Sequence, residues 1–171
     1  MLIPGSKAPD LHLPLTIDAQ FDLADQSPET FTLLIFYRGK HCPICRSYLE
    51  TIGGRLSEIT ERGINPFAVS MDDEDRAMVV DREWKTHDLP LAHSMSEETA
   101  RKWGLYISTA RDGSDEPAVF SEPALYLIKP DGTIYFANVQ SAPFTRPSLD
   151  ELLQAVDYIT KNDYPARGTA T

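Results

Sequence analysis

The chain has 171 residues, of which 42% are hydrophobic and 25% charged, enough to bury one core without disulfide staples. A formal charge of −10 argues against nucleic acid as a partner, because phosphate binding needs clustered Lys and Arg. No apolar run approaches the roughly 18 residues of a membrane span, and Met1–Lys7 lacks a secretory pattern, so a cytoplasmic protein without a membrane partner is expected.

Pro4, Gly5, Pro9 and Pro14 argue against a helix at the start. Leu11–Leu13 and Phe21–Leu23 alternate like a short edge hairpin, and Ser27-Pro28-Glu29 marks a turn. Thr30–Tyr37 is a continuous apolar and β-rich run, the pattern of a strand covered on both faces. From Cys45 the spacing turns helical: Tyr48, Leu49, Ile52, Leu56 and Ile59 form one stripe to about residue 61, with Gly63 as C′ residue. Gly53-Gly54 costs this helix roughly 1 kcal/mol per glycine against alanine, which points to a kink or to close packing.

Ile64–Ser70 reads as the next strand. Asp72–Asp75 then opens a helix to about Lys85, with solvated carboxylates at its positive end. Leu89–His93 is a short strand, and Ser94 with Glu97 offers a capping box for a helix ending at Gly104. Tyr106–Ser121, rich in Gly, Asp, Ser and Glu, is expected to be an irregular loop. Ala124–Lys129 and Thr133–Val139 form a hairpin around Pro130-Asp131-Gly132. Pro147–Glu151 caps a last helix carrying Leu152, Leu153, Val156 and Ile159, and the tail from Asn162 is expected to fray. Strands alternating with helices before a final hairpin and helix predict an α/β fold around a central mixed sheet. No linker or repeat divides it, so one domain over residues 1–171 is expected.

The chemistry concentrates where the Thr30–Tyr37 strand meets the next helix, at Arg38-Gly39-Lys40-His41-Cys42-Pro43-Ile44-Cys45-Arg46. Cys42 and Cys45 are the only cysteines, too few for a disulfide framework. A thiol reacts as its thiolate, and a helix N-terminus flanked by Arg38, Lys40, His41 and Arg46 lowers a thiol pKa. Pro43 suits the first helical turn, where its missing N–H goes unneeded. A second thiol at i+3 shares the helix face and can resolve a mixed disulfide on the first. Two other readings exist, a buried pair of core cysteines and a metal site. The latter needs two more ligands, and His12, His41, His87 and His93 have no paired spacing. A cycling dithiol is preferred over both, with no cofactor and no metal.

These residues resemble the thioredoxin-fold superfamily, and the surrounding chain resembles its peroxiredoxin-like branch, the alkyl hydroperoxide reductase and thiol-specific antioxidant group. Gly5-Ser6-Lys7-Ala8-Pro9-Asp10 is similar to the group's opening, Phe36-Tyr37 to the lead into its cysteine turn, and Leu127–Ile134 to its late strand, turn and strand. The resemblance implies a thioredoxin-like fold with an N-terminal β-hairpin extension. Against the group's P-x-x-x-T-x-x-C pattern only Cys45 matches, with Arg38 at the proline position and Cys42 at the threonine position. The group's late arginine falls at Pro123. Thioredoxin-like oxidoreductases carry a cis-proline there, so a cis Glu122–Pro123 bond is expected, shaping a docking surface for a disulfide-bearing strand.

The leading expectation is a thiol–disulfide redox enzyme in which Cys42, exposed at the helix start, attacks a substrate disulfide and Cys45 resolves it. His41 and Lys40 tune the thiolate. The first alternative is an antioxidant peroxidase in which Cys45 attacks a hydroperoxide and Cys42 resolves; the second is a redox-sensing or metal-binding module. By resemblance the partners are a protein or small-molecule disulfide or a hydroperoxide, a thiol reductant such as a thioredoxin or glutathione system, and a second copy in a homodimer.

Overall fold

The computed structural model describes residues 2–170. At its centre lies β3 (Phe31–Phe36), whose every residue is buried, as a run without polar alternation requires. It pairs parallel with β4 (Ile64–Val69) and antiparallel with β8 (Ala124–Ile128). Adding β5 (Leu91–Ala92) and β9 (Ile134–Val139) at the edges gives a mixed five-stranded sheet, ordered β5-β4-β3-β8-β9.

Alternation along β3 assigns its two faces. Leu33, Ile35 and Tyr37 pack with Leu49, Ile52, Val80, Leu152, Leu153 and Val156, so α1 (Pro43–Gly54), α3 (Glu74–Glu83) and α5 (Leu149–Asn162) cover one side. Leu34 and Phe36 pack with Leu11, Leu13, Phe21, Ala100 and Trp103, which places the N-terminal hairpin and α4 (Glu97–Lys102) on the other. That hairpin, β1 (His12–Pro14) with β2 (Gln20–Asp22), pairs Leu13 opposite Phe21, as the alternating leucines predict. Architecture and extension therefore match the expected thioredoxin-like fold.

Several local expectations are corrected. The helix after Cys45 does not run unbroken to residue 61: it stops at Gly54, and Arg55 leads into the short α2 (Leu56–Thr60). Gly53 explains the glycine pair in part, because a Cβ there would collide with the Thr86 carbonyl. The N-cap of α4 is Ser96, whose Oγ accepts from Thr99 N–H, whereas Ser94 takes a left-handed φ of 59° and donates its N–H to Asp72 O at 2.7 Å. Tyr106–Ser121 is not irregular throughout: β6 (Ile107–Thr109) and β7 (Val119–Ser121) pair antiparallel and bring Phe120 inward. The tail is also anchored, with Tyr135 Oη donating to Tyr164 O at 2.7 Å and Ala166 packed on the core.

Among the described residues no peptide bond is cis, so Glu122–Pro123 is trans. Glu122 N–H donates to Tyr106 O at 2.8 Å, and Pro123 O accepts from Gln140 N–H at 2.9 Å. Pro123 thus joins β7 to β8 within the hydrogen-bonded frame, where trans is the ordinary state of an X–Pro bond.

Candidate active site at the head of the first long helix

Cys42 is the N-cap of α1, with extended backbone at φ −102° and ψ 102°, and Pro43 follows in the first turn. Its Sγ accepts from Cys45 N–H at 3.1 Å, the place a serine or aspartate oxygen takes at other helix starts. Cys42 and Cys45 are joined as a disulfide across a Cα–Cα distance of 5.2 Å. Three residues apart on one turn, they are near enough to bond without moving the backbone.

The expected exposure of Cys42 is corrected: it is 1% accessible and Cys45 0%. Both belong to the cluster that includes Tyr37, Leu49, Trp84 and Leu125. Pro43 and Ile44 between them are the exposed face of the motif. The sheet frame pulls the sulfurs inward because α1 packs its Cys45–Leu49–Ile52 stripe directly against β3.

The turn that delivers Cys42 is tied down by Asp72. This carboxylate is 2% exposed, which corrects the expectation of a solvated helix-start acid; Asp73, Glu74 and Asp75 are the exposed ones. Asp72 Oδ2 accepts from Lys40 N–H at 2.7 Å, and Oδ1 from Arg76 Nε at 3.0 Å. Gly39 sits at φ 120° with the Asp72 carboxylate where a Cβ would stand, so only glycine allows this approach. Cys42 N–H then donates to Gly39 O at 3.1 Å. Nothing in the spacing pointed to Asp72, which lies thirty residues from the motif and arrives only through β3–β4 pairing.

The cationic flank is less free than its sequence suggests. Arg38 Nη2 donates to Glu116 Oε1 at 3.2 Å, its Nε lies 3.4 Å from Glu122 Oε2 without hydrogen-bond geometry, and its guanidinium stacks on Phe120 at 4.7 Å. Glu116 also accepts from Arg111 N–H at 2.9 Å and from its side chain, which holds its pKa down to about 2, so it stays ionised. Glu122 accepts from Ser108 Oγ at 2.6 Å. Arg46 is held by Glu50 Oε1 at 2.9 Å and Glu83 O at 3.1 Å on the outer side of α1.

His41 packs its ring on Phe120 at 4.7 Å, and Arg76 Nη2 donates to its Nδ1 at 3.5 Å. Because arginine only donates, Nδ1 is the unprotonated nitrogen. Burial, with Arg38 next, lowers the His41 pKa below its usual value, so the ring is neutral at pH 7 and adds no positive charge. The helix N-terminus and the Cys45 amide favour a thiolate at Cys42. The structure thus brings Arg38, the Lys40 backbone, His41 and Pro43 together at the approach and first turn of α1, with Glu122 beside Arg38. Pro123 meets Gln140 at the β7–β8 junction, and Arg46 faces away.

The AhpC/TSA family profile matches residues 4–137. No curated protein matches by sequence. Among solved structures, the reduced 2-Cys peroxiredoxin of Plasmodium vivax superposes with a TM-score of 0.75 at 18% identity, covering 95% of this chain and 99% of its own. Peroxidoxin BcpB of Mycobacterium tuberculosis gives 0.72 at 18% identity, over 93% of this chain and 99% of that one. A peroxiredoxin-like protein of Aquifex aeolicus gives 0.73 at 14%, over 92% and 88%. At such identities the neighbours establish the shared fold, and the profile covers most of the chain. The protein is therefore a thiol-dependent redox enzyme that belongs to the AhpC/TSA family.

Proposed function

We propose that the chain reduces hydroperoxides through a Cys42/Cys45 dithiol and is returned to that dithiol by a thiol reductant in the cytoplasm. The observation that carries this choice over a protein-disulfide substrate is burial: with Cys42 and Cys45 at 1% and 0% accessibility, a small oxidant reaches sulfur more readily than a polypeptide strand does. The trans Glu122–Pro123 bond supports the same preference, since the cis-proline docking loop expected for a disulfide substrate is absent.

In the cycle, the thiolate attacks the terminal peroxide oxygen. An S–O bond forms, the O–O bond breaks, and the alkoxide leaves as an alcohol after taking a proton. The second thiol then attacks the sulfenic sulfur, forming the Cys42–Cys45 disulfide and releasing water. Two thiols of a thioredoxin or glutathione system supply the two electrons and two protons that regenerate the pair. Cys42 is the first nucleophile on this reading, because its Sγ already accepts a helix amide. The family pattern favours a second reading, with Cys45 at the position of the peroxide-attacking cysteine.

Stopped-flow oxidation of the reduced protein decides the substrate, followed through Trp84, which shares the cluster of the two cysteines. Hydrogen peroxide and an organic hydroperoxide are expected to oxidise it faster than a protein disulfide at equal concentration; the reverse order overturns the proposal. Sulfenate trapping in Cys45→Ser but not in Cys42→Ser supports Cys42 as nucleophile, and the opposite pattern establishes Cys45.

A further inference from the structure

A groove of about 550 Å³ lies beside the exposed face of the motif, between the start of α1 and the segment leading into α5. Pro43, Ile44, Pro143, Phe144 and Leu149 give it apolar walls, and Ile44 and Phe144 stand 40% and 60% exposed. A volume of this size is ordinary for a small-molecule site. Arg146 also lines it, and its guanidinium stacks over the Tyr48 ring at 4.5 Å.

Arg146 is unusual among the arginines of the chain. Both Nη atoms are out of solvent and neither meets an acceptor among the described residues. Burial pushes its pKa below the usual arginine value, yet guanidinium does not lose its proton in a protein. A desolvated cation without a counter-charge is costly and calls for an anion. The nearby acid does not supply one: Glu151 accepts from Ser148 N–H and Oγ at 2.8 and 2.9 Å, closing the capping box of α5. Tyr48 is held in place by donating to Pro147 O at 2.9 Å, so the platform beneath the guanidinium is fixed. The groove thus combines an apolar trough, one uncompensated cation at its wall, and a mouth formed by the two residues between the cysteines.

We infer that this groove binds an amphipathic carboxylate, with the carboxylate on Arg146 and the apolar chain along Ile44, Phe144 and Leu149, and that the substrate it selects is a fatty-acid hydroperoxide. The substrate half of this inference rests on the hydroperoxide reading above; the binding half does not. Segment 141–146 carries no helix or strand and its Ser141, Phe144 and Thr145 are exposed, so it is the part of the wall that the carboxylate must displace to reach the guanidinium.

The test has two arms. In the first, octanoate and octanamide are titrated into the oxidised protein and followed by amide chemical shifts. Octanoate is expected to bind about tenfold or more tightly, the size of one charge-assisted hydrogen bond, with shifts at Ile44, Tyr48 and Arg146. Equal affinity for the two overturns the inference without any variant. In the second, kcat/KM is compared for a fatty-acid hydroperoxide and its methyl ester. The acid is expected to be preferred by a similar factor, and Arg146→Met to bring the ratio close to one while Arg146→Lys retains part of it. An unchanged ratio in Arg146→Met overturns the assignment to Arg146. If the wild type consumes no hydroperoxide at all, the hydroperoxide reading falls, and the octanoate arm alone decides whether the groove is a carboxylate site.

Discussion

His41 shows how placement alters the part a residue plays. In sequence it is a potential cation next to a cysteine; in the fold its ring lies against Phe120 with Arg38 and Arg76 close by, and both burial and these cations disfavour its charged form. Its folded pKa lies below the unfolded value of about 6.5, so the unfolded chain binds more protons in the interval between the two. The stability linked to this residue is therefore present above about pH 6.5 and is lost as pH falls through the folded pKa. Titration of the His41 imidazole by NMR should give a midpoint below 6.5, and His41→Asn should lose less stability than wild type between pH 7 and 5 in urea melts. A midpoint at or above 6.5 would falsify the neutral assignment.

At the scale of the element, α1 is built to bring its first turn against the sheet. Leu49 and Ile52 anchor it on β3, Cys42 caps it, and Gly53 lets its last turn rest on the backbone at Thr86. The two neighbouring glycines therefore differ in kind. Gly53→Ala places a Cβ on the Thr86 carbonyl and should cost about 1–3 kcal/mol. Gly54→Ala meets nothing within 4 Å and should stabilise by about 0.5–1 kcal/mol through reduced freedom of the unfolded chain. Denaturant midpoints of the two variants moving in the same direction contradict this packing. The hairpin β6–β7 is the other element that matters to the site, because it carries Phe120 under Arg38 and His41 and leads Glu122 to Arg38. Its strands are three residues each with charged and small residues between them, too short and too polar for alternation to betray them in sequence.

For the molecule as a whole, the disulfide contributes chemistry more than stability. It closes a loop with a sequence separation of 3, and the chain-entropy relation gives about 2 kcal/mol for so short a loop. Reduction should lower the Tm by roughly 4–8 °C for a chain of this length, read by calorimetry with and without reductant. A much larger drop means that the reduced thiols also disturb the packing of α1 on the sheet. The Cys42–Cys45 bond can then be made and broken while the two cores, which face opposite sides of β3, stay in place.

The sequence by itself determined the β3 strand, the helix head and its cysteine pair, the N-terminal hairpin, the late hairpin and the capped last helix. All of these are written in local pattern: an unbroken apolar run, spacing of three and four, Pro-Asp-Gly, and Ser148 with Glu151. Tertiary structure alone decided how exposed and how charged the site is. Cys42 is buried because α1 lies flat on the sheet; Asp72 reaches the turn through β3–β4 pairing; Arg38 is neutralised by acids from the β6–β7 region; and Arg146 comes to Tyr48 from a hundred residues away. Each is a contact between distant segments, and desolvation and charge pairing depend on those contacts rather than on neighbours along the chain.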